Sequence, residues 1–214
     1  MLRIQKRLLA TAVAVGLWAS VAASAATVST EPMRVVPGLA IVGDGAASTI
    51  VREQTGISLT VHTHGLEAGV YTMWLLVWNH PENCQGDGCS PPPAGPDVPD
   101  SVVFGGNAVV GPSAKGYLGT RLNLGDTSRV IGGAVQDGLT NATGAEIHAV
   151  LAFHGPVNDE IADAQFSTPN AGCDGPCPVV QGVPHRAGTD FLSMRLEALK
   201  QLLDRVARRN GLRP

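Results

Sequence analysis

The residues of this chain best suited to chemistry are histidines and one carboxylate, carried on two alternating segments. In ISLTVHTH, residues 57–64, Ile57, Leu59 and Val61 alternate with Ser58, Thr60, His62 and His64. In AEIHAVLAFHGP, residues 145–156, Ile147, Ala149, Leu151 and Phe153 alternate with Glu146, His148, Val150, Ala152 and His154. A strand sends successive side chains to opposite faces, so the apolar sets mark the core and the histidines face away from it. Imidazoles beside a carboxylate suit copper or zinc. At the rise of a strand, His62 and His64 stand about 6.6 Å apart, close enough to share an ion, whereas His148 and His154 stand about 20 Å apart. A metal centre would therefore join His62 and His64 to His148 with Glu146, or to His154, and it requires His62 and His148 to lie on adjacent strands. The alternatives are acid–base catalysis and histidines that serve only as surface or loop packing. His80 and His185 fall beside prolines, are read as loop residues and receive no role.

The N-terminus supplies the compartment. Arg3, Lys6 and Arg7 precede an apolar run from Leu8 to Trp18, and Ala23-Ser24-Ala25 follows. That order is a secretory signal peptide, residues 1–25, cut after Ala25. No later segment holds the roughly 18 consecutive apolar residues of a spanning helix, so the mature chain is expected to be secreted or periplasmic, with no transmembrane segment. In such a compartment the close pairs Cys84/Cys89, in NCQGDGC, and Cys173/Cys177, in CDGPC, read as two short-loop disulfides. Each would stabilise the fold by about 2 kcal/mol. A four-thiolate zinc site would need the two pairs to converge and stay reduced, and pairing between the two loops is the third arrangement.

Charge narrows the partners. Residues 26–188 hold 15 acidic and 6 basic residues, whereas the tail from Thr189 holds 3 acidic and 6 basic. An acidic body does not suit nucleic acid, whose phosphates call for clustered Lys and Arg.

The elements that must position these groups are short strands. Candidates are residues 33–42, 48–53, 57–64, 70–79, 101–110, 116–124 and the histidine strand near 146–154, separated by Gly- and Pro-rich turns. VYTMWLLVWN, residues 70–79, is apolar on both faces, which requires a central strand covered on both sides. Trp74 and Trp78 share one of those faces and read as core rather than ligand platform. Residues 80–100 form a long proline-rich loop. The resulting expectation is an all-β fold, an antiparallel β-sandwich over residues 26–188 of Greek-key or jelly-roll type. Residues 189–214 follow as an amphipathic helix with Leu192, Leu196, Leu199, Leu203 and Val206 on one stripe. That stripe can pack on the sheets, mediate self-association, or lay a basic face on a membrane surface.

The segments GLEAGVYTMWLLVWNHPENC, GLTNATGAEIHAVLAFHGP and GCDGPC together resemble a group of secreted, uncharacterised bacterial proteins. The shared features are a Gly-Leu turn into a Trp-bearing strand, an Asn-x-Pro-x-x-Cys loop and an Ala-Glu-x-His strand ending in His-Gly-Pro, within residues 55–185. The resemblance implies an exported β-rich domain with His148 and His154 as family features. His62 and His64 are not part of the pattern, and the resemblance carries no activity.

Other motifs are wanting. The chain has no G-x-S-x-G, H-E-x-x-H or phosphate-loop pattern. Gly43-Asp44-Gly45 and CQGDGC lack the oxygen ligands of a calcium loop. Asn141-Ala142-Thr143 matches a glycosylation sequon. Superoxide dismutase also combines a sandwich, an H-x-H strand and a disulfide, but its further ligand histidines are missing from the corresponding loop. The sequence thus points first to a non-catalytic binding or structural module with no catalytic residues assigned. A copper- or zinc-binding protein using outward histidines is second, and a hydrolase without a visible nucleophile and base is third.

Overall fold

The computed structural model describes residues 25–86, 88–92 and 95–187. Nearly all of the signal-peptide segment and the whole leucine-striped tail, with the self-association expected of it, lie outside these residues.

The described chain is all-β, with ten strands in two antiparallel sheets. The four-stranded sheet has the order β1 (Thr27–Pro32), β3 (Ala47–Glu53), β4 (Gly56–Thr63), β7 (Gly116–Asn123). The six-stranded sheet has the order β2 (Arg34–Val35), β10 (Val179–His185), β9 (Glu146–Phe153), β5 (Gly69–Trp78), β6 (Ser101–Val110), β8 (Val130–Gly132). After β4 the chain crosses to the larger sheet, makes the β5–β6 hairpin, and returns as β7 to pair with β4.

One apolar cluster lies between the sheets. Ile50, Ile57, Leu59, Val61, Leu118 and Leu122 enter it from the smaller sheet, and Tyr71, Met73, Leu75, Val77, Ile147 and Leu151 from the larger. β5 sits between β9 and β6, as its two-sided apolar sequence requires. Its other face is covered as well. Trp74, buried to 4% exposure, packs with Phe104, Ala152, Val150 and the Cys173/Cys177 pair in a second, smaller cluster.

Two loops clad that outer face. The proline-rich segment after β5 is folded back on Trp78, whose Nε1 donates to Asp97 O at 3.2 Å. The Asp97 carboxylate accepts from the N–H groups of Gln85 and Ser90 at 3.0 and 2.9 Å, and the Cys84–Cys89 disulfide closes the loop. The second loop carries the Cys173–Cys177 disulfide. The close pairing read from spacing is therefore the one formed. Disulfides of this kind belong to oxidising compartments. Among the described residues no helix is long and apolar enough to cross a membrane.

Along one side the interior between the sheets is polar. The buried Arg52 guanidinium donates to Ala142 O at 3.0 Å and His185 O at 3.1 Å, and the His185 ring meets Ser48 Oγ at 2.9 Å. Thr63 Oγ1 donates to Gln181 Oε1, and Gln181 Nε2 donates to His64 O at 3.0 Å. This seam pins β10 to the smaller sheet. It also corrects the placement of His185, which is fully buried on a strand rather than in a loop. Pro184 is tolerated there because β2 pairs only with Gln181 and Gly182, so β10 is an edge beyond them.

Residues 33–42 depart from the single strand expected of them. Only Arg34–Val35 is extended, and the Pro37-Gly38-Leu39 turn, with φ of 111° at Gly38 and 58° at Leu39, brings Ile41 back to bridge Arg34. Pro-Gly punctuation outweighs the apolar run.

Asn79, 1% exposed at the end of β5, holds the loop that leads into β9. Its Nδ2 donates to Gly138 O at 3.0 Å and Asp137 Oδ1 at 3.2 Å, its Oδ1 accepts from Thr140 N at 2.8 Å, and its backbone oxygen accepts from Asn141 Nδ2 at 3.0 Å. The sequon amide of Asn141 is thus already engaged. Truncating a buried hub strands several partners at once, so Asn79→Ala is expected to lower stability by about 3 kcal/mol in urea unfolding. A loss under about 1 kcal/mol would show that the loop is held by other contacts.

Candidate functional site

The outer face of the four-stranded sheet is largely exposed, and its register sets out its side chains in rows. Pro32, Ala47, His62 and Tyr117 stand side by side across the four strands, and Thr30, Thr49, Thr60 and Gly119 form the next row. The strand alternation that buries Leu118 and Leu122 sends Tyr117 outward, leaving it 65% exposed. His62 and Tyr117 face each other across β4 and β7 and stack, with ring centroids 4.5 Å apart and planes 14° from parallel. The two rings, with Gly45, Ala47, Thr49, Thr60 and Gly119, line a shallow depression of about 590 Å³. No charged side chain lines it. Gly119 leaves the fourth place of the threonine row without a side chain.

The larger sheet carries Glu146 and His148 on its own outer face, away from the smaller sheet. His148 Nε2 donates to Glu146 Oε1 at 2.7 Å, and the same oxygen accepts from Cys89 N at 3.2 Å and faces Arg186 Nε at 3.5 Å. The His148 ring lies 4.7 Å from that of Trp78. Burial raises the Glu146 pKa, but the His148 hydrogen bond and charge, the Cys89 N–H and Arg186 outweigh it and hold the carboxyl below its ordinary range. A histidine oriented by a carboxylate is half of a nucleophile-activating arrangement. The other half is missing, because the hydrogen bonds of His148 among the described residues include no hydroxyl or thiol.

His154 keeps the side of the sheet that alternation assigned to it, away from the main core, but it is covered rather than exposed. It follows the last residue of β9, is 1% exposed, and lies under the second disulfide loop. Its Nε2 accepts from Thr72 Oγ1 at 2.7 Å, and its Nδ1 lies 2.9 Å from Ala171 O and 3.3 Å from Cys177 Sγ.

The structure therefore brings Glu146 and His148 together and keeps the rest apart. His62 is on β4 of one sheet and His148 on β9 of the other, so the adjacency that a shared ion required is not met. His64 does not join His62, since its Nε2 is bonded to Gly43 O at 2.8 Å. The two cysteine pairs lie at opposite ends of β9, one against Glu146 and the other against His154, so they form no four-thiolate site. Two features of the candidate sites escaped the sequence reading. The alternation of GYLGTRLN marks Tyr117 as an exposed aromatic opposite buried leucines, and that signal was present in the sequence. The approach of Cys177 to His154 depends on a loop fold that no spacing encodes.

The chain matches no protein family, no curated protein and no solved structure. Its chemistry therefore has to be argued from the geometry above.

One buried titration is open to measurement. Burial, with Arg52 and His148 adding to it, pushes His185 down to about 3. Its ordinary value is near 6.5, so the unfolded chain binds a proton that the folded chain refuses between about 6.5 and 3. The contribution is complete above about pH 6.5 and is lost as the pH falls, at about 1.4 kcal/mol per unit. Stability measured by urea unfolding from pH 6.5 to 5 is expected to fall with that slope, and His185→Gln is expected to flatten it by about one proton. An unchanged slope in the variant would place the titration elsewhere.

Proposed function

We propose that this chain is an exported, non-catalytic binding module that takes a neutral carbohydrate on the outer face of its four-stranded sheet. The observation that carries this reading is the stacked, exposed pair of Tyr117 and His62 beside a row of threonine hydroxyls. The C–H face of a pyranose ring packs against an aromatic face, whose quadrupole is negative, while the sugar hydroxyls exchange hydrogen bonds with Thr49, Thr60 and the imidazole. An uncharged lining offers an ionic ligand no partner, and the depression is shallow. Both features favour an extended neutral polymer lying across the strands over a small molecule enclosed in a cavity. Export is supported by the signal-peptide pattern at residues 1–25 and by the two disulfides.

Titration calorimetry with gluco-, manno- and N-acetylglucosamine oligomers tests the proposal. At least one series is expected to bind, with affinity lowered about tenfold in Tyr117→Ala, in keeping with the loss of one aromatic contact. Glu146→Gln, on the opposite face, is expected to bind as the parent does. Binding by none of the three series, or equal binding by Tyr117→Ala, would reject the assignment.

A further inference from the structure

We propose that the Cys173–Cys177 disulfide closes a latent zinc site whose ligands are the two sulfurs and Nδ1 of His154. Three observations place the donors together. The potential ligand atoms of His154, Cys173 and Cys177 all lie within 4.8 Å of one another, the imidazole Nδ1 is already 3.3 Å from Cys177 Sγ, and His154 is 1% exposed. A histidine buried against a cysteine pair, with its other nitrogen held, is the geometry of a soft-metal centre.

The chemistry is closed in the oxidised chain, because the sulfurs are bonded to each other and neither is a thiolate. A dithiol reductant opens it. The S–S bond accepts two electrons and two protons to give two Cys thiols, while the dithiol becomes its own disulfide. Zinc then displaces the two thiol protons, leaving two thiolates and one imidazole on the ion and a fourth position for water or an incoming ligand. His154 must change tautomer to take part. Its Nδ1 proton, now directed at Ala171 O, is given up, and the proton moves to Nε2. Thr72 Oγ1 stands 2.7 Å from that atom and its hydroxyl can turn from donor to acceptor. Thr72 thus supplies the outer partner that a metal-bound imidazole ordinarily has.

The surroundings are built to survive the opening. The loop is tied independently of its disulfide by Cys173 N to Asn170 O at 3.1 Å, Cys177 N to Pro169 O at 3.0 Å and Phe153 N to Pro178 O at 3.1 Å. Gln165 Nε2 donates to His154 O at 3.0 Å and fixes the backbone behind the imidazole. Cys173 is half-buried and is the more exposed of the two cysteines, whereas Cys177 is buried beside the imidazole. The Cys84–Cys89 pair has no histidine grouped with it among the described residues, so it serves as an internal control.

The test uses the full mature chain, reduced under anaerobic conditions and titrated with zinc against a chromophoric chelator. Cobalt serves as a spectroscopic substitute, and circular dichroism monitors the fold. The reduced protein is expected to take one zinc per chain and to give a tetrahedral cobalt spectrum with thiolate charge transfer. The oxidised protein is expected to take none. Cys84→Ser/Cys89→Ser should bind as the parent does, His154→Ala more than tenfold more weakly, and Thr72→Val about tenfold more weakly. The proposal is overturned by absence of zinc in the reduced protein, by equal affinity in His154→Ala, or by loss of binding in Cys84→Ser/Cys89→Ser. Uptake only with collapse of the β-sheet signal would also overturn it, because unfolded thiols need no built site.

Discussion

The centre of the six-stranded sheet is apolar on both faces, and neither face can be left to water. That constraint governs most of what surrounds it. One face is covered by the four-stranded sheet and yields the main core. The other carries Trp74 and Trp78 with no further sheet to bury them, so the chain covers it with loops, which are a poor material for the task. Loops expose backbone polar groups and cost entropy to order. Here each is supplied with what a loop lacks. Asp97 gathers the N–H groups of one, Gln165 at the end of the short helix Ala162–Gln165 holds the other, and a disulfide closes each.

Cladding one sheet and leaving the other bare gives the molecule two unlike sides. Glu146, His148 and His154 sit beneath the clad side, where they bond to one another, to the sheet and to the covering loops. These residues are positioned by burial, and their chemistry is controlled by what covers them. Tyr117, His62 and the threonines stand on the bare side, where nothing within the described chain uses them beyond each other. A side chain that contributes little to the core and is held in a fixed stack is available for a ligand at small conformational cost. The contrast separates an exposed row of side chains from a covered group of histidines.

Much of the fold was legible because alternation is a local property. The strands at residues 56–63, 69–78, 101–110, 116–123 and 146–153 carry a period-two or a two-sided apolar pattern, that at 47–53 is marked instead by β-branched residues between turn signals, and each forms within a residue or so of where the sequence places it. β1 was missed because TVSTEP has no apolar alternation, and β10 because a glycine and a proline interrupt VVQGVPH. Both are fixed by long-range contacts, β10 above all by Arg52, Ser48 and Thr63 across the polar seam. The candidate site was less legible for a related reason. Alternation tells whether a side chain faces its own core, but a two-sheet fold has two outer faces, and His62 and His148 face outward on opposite ones. The paired cysteines were readable because a loop of a few residues leaves few other arrangements.

The larger sheet also finishes in a telling way, with a two-residue strand, β2, on one side and a three-residue strand, β8, on the other. Unpaired backbone at a sheet edge is a template for another chain, and very short edge strands give it little to copy. The smaller sheet has longer margins, but β1 ends in Pro32 and β7 carries Arg121 in an ion pair with Glu53 at 3.4 Å. The largest hydrogen-bonding surface of the described fold is thus guarded against edge-to-edge polymerisation, and what it presents outward is side chains rather than open backbone.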